Sequence, residues 1–457
     1  MFVKQLKIRA FRGIESLDLT FQPGVNILIG TNGVGKSSAI ECLVILLNEY
    51  VLKLTDTFDR SPSQSQDEIV ERVTFDPTSK NYTVDDAFQN YIMQYLSRGM
   101  PKILAARVTD IKNGLNTASI EIMTTYHNHD FMWSSSIKNN KVESITHNLD
   151  QLKELVLKIR NQSSQKNKLC VPLVLFYPVN RSVAEFSLDS SDDLNKSQIE
   201  GLKDSLTGVH SGFDAFFGWF RELEDFENEE RRDRPEHRDY RLEAVRRAIP
   251  EFLPNITNLR IRRSPLRMTV LKEGGELIVN QLSDGEKCLL AMVGDLARRL
   301  AITNPGLDNP LQGAGIVLID EIELHLHPQW QRGVIPRLTS TFPNCQFIVS
   351  THSPQIVSDV EPESVYILQQ TPQGITATHP QSSYGRDSNR ILEDLMGVPE
   401  RPQWSDDGLR DLFRLIDAGD LNGARELKAE LEHKIGLDEP EFAKADVLIR
   451  RKEILGK

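Results

Sequence analysis

The sequence predicts an α/β fold in which a mixed central sheet with helices is joined by an antiparallel β lobe, an inserted helical arm and a C-terminal helical segment. Two kinds of pattern carry this prediction. Continuous apolar runs at residues 25–29, 171–179, 315–319 and 345–349 are typical of strands buried on both faces of a sheet. Polar and apolar residues alternate over residues 117–133, as in half-buried antiparallel strands.

The overall composition limits the class of protein. A formal net charge of −11 argues against a chain coated in nucleic acid, although it leaves room for a local basic groove. No apolar run reaches the length of a membrane span, and the first residues lack a signal-peptide core, so we expect a cytoplasmic protein without a membrane partner. The four cysteines lie far apart, which predicts reduced thiols and neither disulfides nor a zinc site.

Residues 1–30 predict strand, strand, turn and strand, because Leu17, Leu19 and Phe21 alternate and an apolar run follows them. That run leads into a glycine loop and a helical pattern. The stretch VNILIGTNGVGKSS, residues 25–38, matches G-x-x-x-x-G-K-S/T in the strand-loop-helix context that this motif requires. A chance match is the alternative, and the flanking strand and helix disfavour it.

This loop predicts a site for ATP and Mg²⁺. Glycines lack a Cβ atom, so the loop can curl and turn its N–H groups onto phosphate oxygens, assisted by the helix N-terminus. We expect Lys36 to reach the β- and γ-phosphates and the Ser37 hydroxyl to hold Mg²⁺. The residues predicted to bind the nucleotide here are Gly30, Thr31, Asn32, Gly33, Val34, Gly35, Lys36, Ser37 and Ser38.

Beyond the loop, helical spacing predicts a helix with a buried stripe of Ile40, Leu43, Val44 and Leu47. Residues 55–85 are polar with scattered proline and serine, and we interpret them as a surface insertion or mobile loop. Alternation between residues 103 and 133 predicts antiparallel strands with a turn at residues 112–115. Residues 171–179 predict a buried strand.

Residues 184–249 are mostly charged and helical in pattern, with an aromatic stripe of Phe213, Phe216, Phe217 and Phe220. We favour a solvated helical arm whose charges pair at i,i+4 spacing over a nucleic-acid tether. Strand patterns return at residues 259–271, which contain Arg260, Arg262, Arg263 and Arg267. These arginines form either a strip that follows a phosphate backbone or an ordinary exposed strand face.

A second group of motifs lies in the C-terminal half. Residues 281–287 read QLSDGEK and precede a helical pattern. A serine hydroxyl and a glycine N–H at a helix N-terminus can bind phosphate, which makes Ser283, Asp284 and Gly285 candidate nucleotide ligands. Taken alone, the same residues are consistent with a capping box of Ser283 and Glu286.

Two further apolar runs end in polar residues that suit hydrolysis. The run GIVLIDE, residues 315–321, places Asp320 to bind Mg²⁺ and Glu321 to polarise a water for attack on the γ-phosphate. The run CQFIVSTHSP leads into His352, which taken alone is an ordinary capping or core histidine. Four such elements in this order make coincidence a poor explanation.

The order of P-loop, LSDGE, apolar-DE and apolar-STH resembles the P-loop ABC-type ATPase head of the RecF/SMC/OLD-like branch. The resemblance implies that His352 senses the γ-phosphate and that Arg12, in the triplet Phe11-Arg12-Gly13, contacts the nucleotide. It also implies a homodimer or larger homo-oligomer, with LSDGE of one chain completing the site of another. His325 and His327 occupy the place of the D-loop, and no Q-loop glutamine is assigned.

The C-terminal third resembles the PtuA family, the ATPases of Septu and related retron anti-phage defence systems. The stretch SSYGRDSNRILEDLMGVPERP, residues 382–402, and the helical patterns after it carry this resemblance. It implies a partner HNH nuclease of the PtuB type and, in a retron setting, a reverse transcriptase with its RNA–DNA product. We expect residues 403–457 either to dock a partner or to finish the ATPase lobe as a helical hairpin.

We therefore expect the N-terminal half of the head at residues 1–183 with an insertion around 55–100, the arm at 184–258, the C-terminal half at 259–380 and the helical segment at 381–457. The predicted function is an ATP-hydrolysing subunit of an anti-phage defence complex that gates a partner nuclease through nucleotide-dependent head dimerisation. No nuclease activity is expected from this chain alone. The alternative is a RecF-like DNA-repair ATPase that binds DNA directly without a nuclease partner.

Overall fold

A computed structural model describes residues 1–59, 73–76, 81–84, 108–138, 144–166, 170–179, 198–207, 212–372 and 374–455. The chain divides into two compact units, Met1–Arg386 and Asp387–Lys457. Within the ranges just given, no helix combines the length and the apolarity needed to cross a membrane.

The strands and helices are numbered separately along the chain. The strands are β1 Phe2–Phe11, β2 Ile14–Thr20, β3 Val25–Ile29, β4 Val73–Asp76, β5 Asn81–Val84, β6 Thr117–Tyr126, β7 His129–Lys138, β8 Ser144–Asn148, β9 Leu173–Tyr177, β10 Ile256–Arg263, β11 Leu266–Lys272, β12 Gly275–Ile278, β13 Gly315–Ile319, β14 Cys345–Ser350, β15 Val365–Thr371 and β16 Gly374–Thr378. The α-helices are α1 Lys36–Asp59, α2 Asp150–Lys166, α3 Gly212–Asp233, α4 Tyr240–Phe252, α5 Asp284–Thr303, α6 Pro328–Gln331, α7 Val334–Thr341, α8 Pro354–Val357, α9 Ser388–Asp394, α10 Gln403–Ala418, α11 Leu421–Ile435 and α12 Pro440–Leu455.

The central sheet has the strand order β16-β15-β3-β14-β13-β9. Its strands β15, β3, β14, β13 and β9 are parallel, and only the edge strand β16 runs antiparallel to its neighbour. Strands β13 and β14 are buried along their whole length, as their continuous apolar sequences predict. Because β3, β13 and β14 are parallel, the polar residues that follow them meet at one edge of the sheet.

The antiparallel lobe has the order β2-β1-β6-β7-β8, which confirms the predicted mixed sheet and β lobe. The predicted turn at residues 112–115 is present, with Leu115 N–H donating to the Lys112 carbonyl at 3.1 Å, but it precedes the hairpin. The β6–β7 connection is instead His127-Asn128, with φ of 47° and 63°. Positive φ at both residues matches the twist of the strands, and without a glycine this turn gives little sequence signal.

The predicted surface insertion is partly structured. Helix α1 continues through residues 55–59, and strands β4 and β5 pair antiparallel. The rest of the predicted insertion lies outside the described residues.

The described part of the predicted arm lies in the first unit, where the aromatic part of α3 is buried and residues 228–236 are mostly exposed. Phe216, Phe217 and Phe220 on α3 are buried, and a Cβ atom added to Gly294 of α5 would lie 3.0 Å from the Phe216 ring. The side chain of Phe213 lies outside the described residues. Burial of the aromatic stripe holds α3 against α5, because each such side chain contributes about 1.5–3 kcal/mol when it leaves water.

Two charged pairs in this region join separate elements. Arg246 of α4 pairs with Glu227 of α3 at 2.9 Å, and Arg263 of β10 pairs with Glu224 of α3 at 3.4 Å. These contacts differ from the expected i,i+4 pairs along one helix. Since the aromatic face folds the helices together, their acidic and basic side chains meet across the interface.

A buried cluster links α5 to the central sheet. Asp295 pairs with Arg298 at 2.7 Å and with Arg299 at 2.9 Å, and all three are buried. Burial lowers the pKa of the Arg298 guanidinium although the Asp295 carboxylate opposes that shift. The Tyr177 hydroxyl donates to the Met292 carbonyl at 2.9 Å. One carboxylate therefore pairs with two guanidinium groups at the place where the helix meets β9.

The second unit consists of α9 and three longer helices around their own core, and it confirms the helical patterns predicted for this part of the chain. Gly419, with φ of 84°, ends α10 and permits the tight turn into α11. The buried core residues are Leu409, Leu412, Ile416, Ala424, Leu431, Phe442, Ala445 and Ile449.

We predict that Asp295→Ala destabilises the first unit by about 3–5 kcal/mol, because it leaves two buried guanidinium groups without their carboxylate. Urea denaturation followed by tryptophan fluorescence measures the change. The control is Asp411→Ala, which removes an exposed pair with Arg414 at 3.2 Å and should cost at most about 1 kcal/mol. Equal denaturation midpoints for the two variants would contradict the structural role of the cluster.

Candidate functional site

The loop of residues 30–35 connects β3 to α1 at the carboxyl edge of the central sheet. Gly30, Gly33 and Gly35 have φ of 146°, 79° and 107°, a region that side chains rarely adopt. A Cβ atom on Gly30 would lie 2.4 Å from the Leu368 carbonyl oxygen, so the loop also approaches β15 too closely for any other residue. Helix α1 begins at Lys36, and its free N–H groups and dipole favour an anion here.

Lys36 is held over this loop. Its Nζ donates to the carbonyl oxygens of Gly30 at 2.8 Å and Thr31 at 3.1 Å, and only 6% of the residue is exposed. Burial lowers the pKa of the Lys36 ammonium, whereas the charges of Asp320 and Glu321 oppose that shift. The result is a largely desolvated cation beside the glycine loop, as phosphate binding requires.

Oxygen donors from two elements meet at the end of β13. The Ser37 hydroxyl donates to Asp320 Oδ1 at 3.3 Å, and the Ser350 hydroxyl donates to the same oxygen. The Asp320 N–H donates to the Tyr177 carbonyl at 2.9 Å, which fixes the backbone from the β9 side. Hydroxyl and carboxylate oxygens are ligands that Mg²⁺ prefers, so Ser37 and Asp320 fit the ion predicted for this place.

Glu321 has a left-handed backbone with φ of 50°, which is uncommon outside glycine. Its N–H donates to Ser350 Oγ at 2.8 Å, so one buried hydroxyl contacts both Asp320 and Glu321. Such strained residues cluster at active sites, where the surrounding structure holds them. The predicted acid pair thus lies at a fixed, sharp turn that immediately follows β13.

Glu323, which no sequence motif singled out, joins this turn to the segment after β14. Its carboxylate accepts a hydrogen bond from the Thr351 hydroxyl at 2.8 Å and another from the His352 N–H. The His352 side chain is exposed. The signal that could have identified Glu323 is its position, because acidic residues just after one parallel strand can reach the end of the neighbouring strand.

Arg12 lies in the turn after β1 and contacts carboxylates. Its Nε donates to Asp110 Oδ1 at 2.9 Å, and its guanidinium also pairs with Glu41 of α1. Burial would lower the pKa of Arg12, but the hydrogen bonds with Asp110 and Glu41 raise it. These pairs attach Arg12 to the helix that begins at Lys36, and its contact with nucleotide stays a prediction.

The LSDGE segment forms the N-terminus of α5. Ser283 is the N-cap, and Glu286 completes a capping box by accepting from the Ser283 N–H at 3.0 Å. The capping alternative is therefore realised, and it leaves Ser283 and Asp284 exposed at the helix end. Among the described residues, no hydrogen bond or ion pair joins residues 283–285 to residues 30–38.

The segment after Glu323 packs against this helix end. A Cβ atom on Gly285 would lie 2.6 Å from the His325 carbonyl oxygen and 3.0 Å from the Trp330 ring, so only glycine fits. The His327 ring accepts from the Gln329 N–H at 3.2 Å and caps α6. The part of the chain that the structure describes contains no group of three or more metal-ligating side chains.

Comparison with known proteins places these observations in a family. The chain is 29% identical over 462 residues to the retron Ec83 probable ATPase of Escherichia coli, covering 88% of this chain and 77% of that protein. It is 34% identical over 325 residues to the retron Vc95 probable ATPase of Vibrio cholerae serotype O1 biovar El Tor, covering 60% of this chain and 63% of that protein. It is 24% identical over 425 residues to the Septu protein PtuA of Bacillus thuringiensis, covering 88% of this chain and 85% of that protein.

These similarities confirm the predicted relationship to PtuA and to retron ATPases. A family model described as an AAA ATPase domain matches residues 1–357, which include the glycine loop, LSDGE, Asp320, Glu321 and His352. The chain belongs to this AAA ATPase domain family, AAA_15.

Proposed function

We propose that this chain binds and hydrolyses ATP as the ATPase subunit of an anti-phage defence complex, and that its dimerisation gates a partner HNH nuclease. The observation that carries the proposal is the convergence of Lys36, Ser37, Asp320 and Glu321 at one edge of the central sheet. The relatives named as retron ATPases and as Septu protein PtuA support the defence setting.

The hydrolytic step follows from the positions of these side chains. Lys36 and the loop N–H groups would hold the β- and γ-phosphates, and Ser37 with Asp320 would hold Mg²⁺, which supplies positive charge to the developing transition state. Glu321 would accept a proton from the attacking water as the bond to the γ-phosphate forms and the bond to the ADP oxygen breaks. The products are ADP and inorganic phosphate.

The LSDGE segment would act on the nucleotide of a second chain. Ser283 and Asp284 are exposed at the N-terminus of α5, where N–H groups and the helix dipole favour phosphate. Gly285 packs on the backbone of His325, four residues after Glu321. Engagement of a partner's nucleotide by α5 would therefore press on the segment that carries the chain's own Glu321.

The buried cluster supports the same coupling from the other side. Tyr177 contacts α5 through its hydroxyl and Asp320 through its carbonyl. A shift of α5 would move the backbone that positions Asp320, because packed elements transmit displacements. Nucleotide-dependent dimerisation and hydrolysis are linked in this proposal through two contacts with α5, one at its beginning and one near its middle.

The second unit would dock the partner nuclease. Val447 and Ile454 are 67% and 77% exposed on α12, and because they are seven residues apart they lie on one face. Exposed apolar side chains beside the exposed Arg450 and Arg451 suit contact with a partner surface. The partner proposed here is an HNH nuclease of the PtuB type, with a reverse transcriptase and its RNA–DNA product added in a retron setting.

The alternative of a RecF-like clamp that holds DNA on the β10 arginines has less support. Arg262 pairs with Glu276 at 2.5 Å, and Arg263 pairs with Asp225 and Glu224. Arginines already paired with carboxylates offer little charge to a phosphate backbone.

We predict that Glu321→Gln retains ATP binding and lowers the rate of steady hydrolysis by about 10²–10⁴-fold, because the amide cannot accept the proton. Phosphate release measures the rate, and fluorescent nucleotide titration measures binding. The control is Glu363→Gln, which changes an exposed carboxylate after α8 and should leave both values unchanged. Turnover near the wild-type rate in Glu321→Gln would exclude Glu321 as the base.

We predict that Ser283→Arg leaves ATP binding by the single chain intact and prevents ATP-dependent dimerisation, because a large cation replaces the hydroxyl at the exposed helix end. Sedimentation velocity with and without ATP gives the oligomeric state. Ser340→Arg introduces the same side chain at an exposed position of α7 and should dimerise normally. A Ser283→Arg protein that still dimerises with ATP would refute the shared site.

We predict that the variant Val447→Asp/Ile454→Asp co-purifies with at least about tenfold less partner nuclease than the wild-type chain, because a carboxylate in place of each apolar side chain opposes burial in an interface. ATP hydrolysis by the same protein should be unchanged. Asn422→Asp/Ala429→Asp places two charges seven residues apart on the exposed face of α11 and should keep the partner. Full recovery of the nuclease with the α12 variant would rule out this docking face.

A further inference from the structure

A cavity of about 540 Å³ lies between α3, α4 and β10, and its lining contains none of the residues placed in the ATP site. Sites for small ligands typically have about 300–1,000 Å³, so the cavity is large enough for a molecule the size of a nucleotide. Five arginines and three glutamates contribute to its wall. Which charges are already neutralised decides what kind of ligand the cavity can accept.

The glutamates of the wall are satisfied by groups of the protein. Glu227 accepts a hydrogen bond from the Asp239 N–H at 2.9 Å and pairs with Arg246 at 2.9 Å. Glu243 pairs with the same arginine at 2.9 Å. Glu224 accepts from the Ile261 N–H at 2.9 Å. The acidic side of the wall therefore has a structural role and offers little attraction to a cation.

Two arginines of the wall are bound by carbonyl oxygens and by no carboxylate of the part of the chain that the structure describes. Arg231 Nε donates to the Pro235 carbonyl at 3.3 Å, and an Arg238 guanidinium N–H donates to the His237 carbonyl at 2.8 Å. Among the described residues, neither arginine pairs with an acidic side chain. Carbonyl oxygens orient a guanidinium without cancelling its charge, so both side chains can still bind an anion in bidentate geometry.

A third arginine is weakly held. The Arg260 guanidinium lies 3.5 Å from one Glu276 carboxylate oxygen. The Arg262 guanidinium donates to both oxygens of that carboxylate, at 2.5 and 2.7 Å. The hydrogen bond from Arg262 lowers the pKa of Glu276 to about 2. Because Arg262 binds both oxygens of the Glu276 carboxylate, that carboxylate neutralises little of the Arg260 charge. Arg260 therefore adds positive charge to the same wall.

The strand that forms one side of the cavity departs from regular geometry. Its pairing with β11 shifts between Thr257 and Arg260, and Asn258 has a left-handed backbone with φ of 52°. Such bulges redirect side chains and are common beside binding sites. Here Asn258 and Leu259 line the cavity together with Ile249, so an amide and apolar groups lie beside the arginines.

We propose that this cavity binds a phosphorylated nucleoside, either free or as the 5′-phosphate end of a nucleic-acid strand. Arg231, Arg238 and Arg260 would hold the phosphate, since planar guanidinium groups match its oxygens. Asn258 offers both a donor and an acceptor to a base, and the apolar wall accepts its face. This inference is independent of the proposed ATPase function, because it uses other residues and another element of the fold.

The test uses the full-length chain and two probes. One probe is AMP, followed by calorimetry, and the other is a single-stranded DNA of about twelve nucleotides with a 5′-phosphate and a 3′-fluorophore, followed by anisotropy. We expect Arg231→Gln/Arg238→Gln to weaken binding about tenfold or more. Arg410→Gln/Arg414→Gln removes the same charge from exposed helix positions of the second unit and should leave the affinity within about twofold.

The outcomes separate the two sources of the ligand. If AMP binds as tightly as the DNA and its binding depends on the two arginines, the ligand is a free nucleotide. If the DNA binds more tightly than AMP, the ligand is the end of a strand. Equal affinity for a 5′-hydroxyl strand, or absence of binding by both probes, overturns the proposal. Lys36→Ala distinguishes this site from the ATP site. Loss of probe binding in that variant would show that the probes occupy the ATP site, which overturns the inference without contradicting the proposed ATPase function.

Discussion

The register of three parallel strands is the constraint on which the rest of this structure depends. Ile319 of β13 pairs with Val349 of β14, and Ser350 pairs with Leu28 of β3, so the residues after these strands meet at one edge. The fully buried Ser350 hydroxyl then contacts the Asp320 carboxylate and the Glu321 N–H. Without this register, the glycine loop, the acidic pair and the histidine segment would lie apart and could not act on one phosphate.

The same edge is connected to α5 at two places. Tyr177 reaches the middle of the helix and also holds Asp320, while Gly285 at its beginning lies against the His325 carbonyl. The Tyr177 hydroxyl also lies 3.4 Å from Asp295 Oδ2, and Asp295 pairs with Arg298 and Arg299 of the same helix. A rigid helix with one exposed end and two internal contacts is a suitable element for linking subunit engagement to the geometry of a catalytic edge.

Much of the first unit could be predicted from local patterns. Continuous apolar runs predicted the buried strands, alternation predicted the β lobe, and helical spacing predicted the buried stripe of α1 and the helix after LSDGE. These patterns are local because the buried residues of a strand and of a helix recur at different spacings along the sequence. The glycine loop was recognisable because its backbone needs residues without a Cβ atom, as the φ values of Gly30 and Gly35 show. Family membership followed from the order of four such motifs.

The sequence by itself thus determined the elements, the loop and the identity of the acids that follow β13. Tertiary structure alone decided that Glu323 holds the His352 backbone and that Arg12 pairs with Asp110 and Glu41. It also decided that α3 and α4 pack near α5 and line a cavity together with β10. The reason is physical. A local pattern records which face of an element is buried, whereas these contacts join side chains up to about a hundred residues apart, and their partners depend on strand order and helix packing.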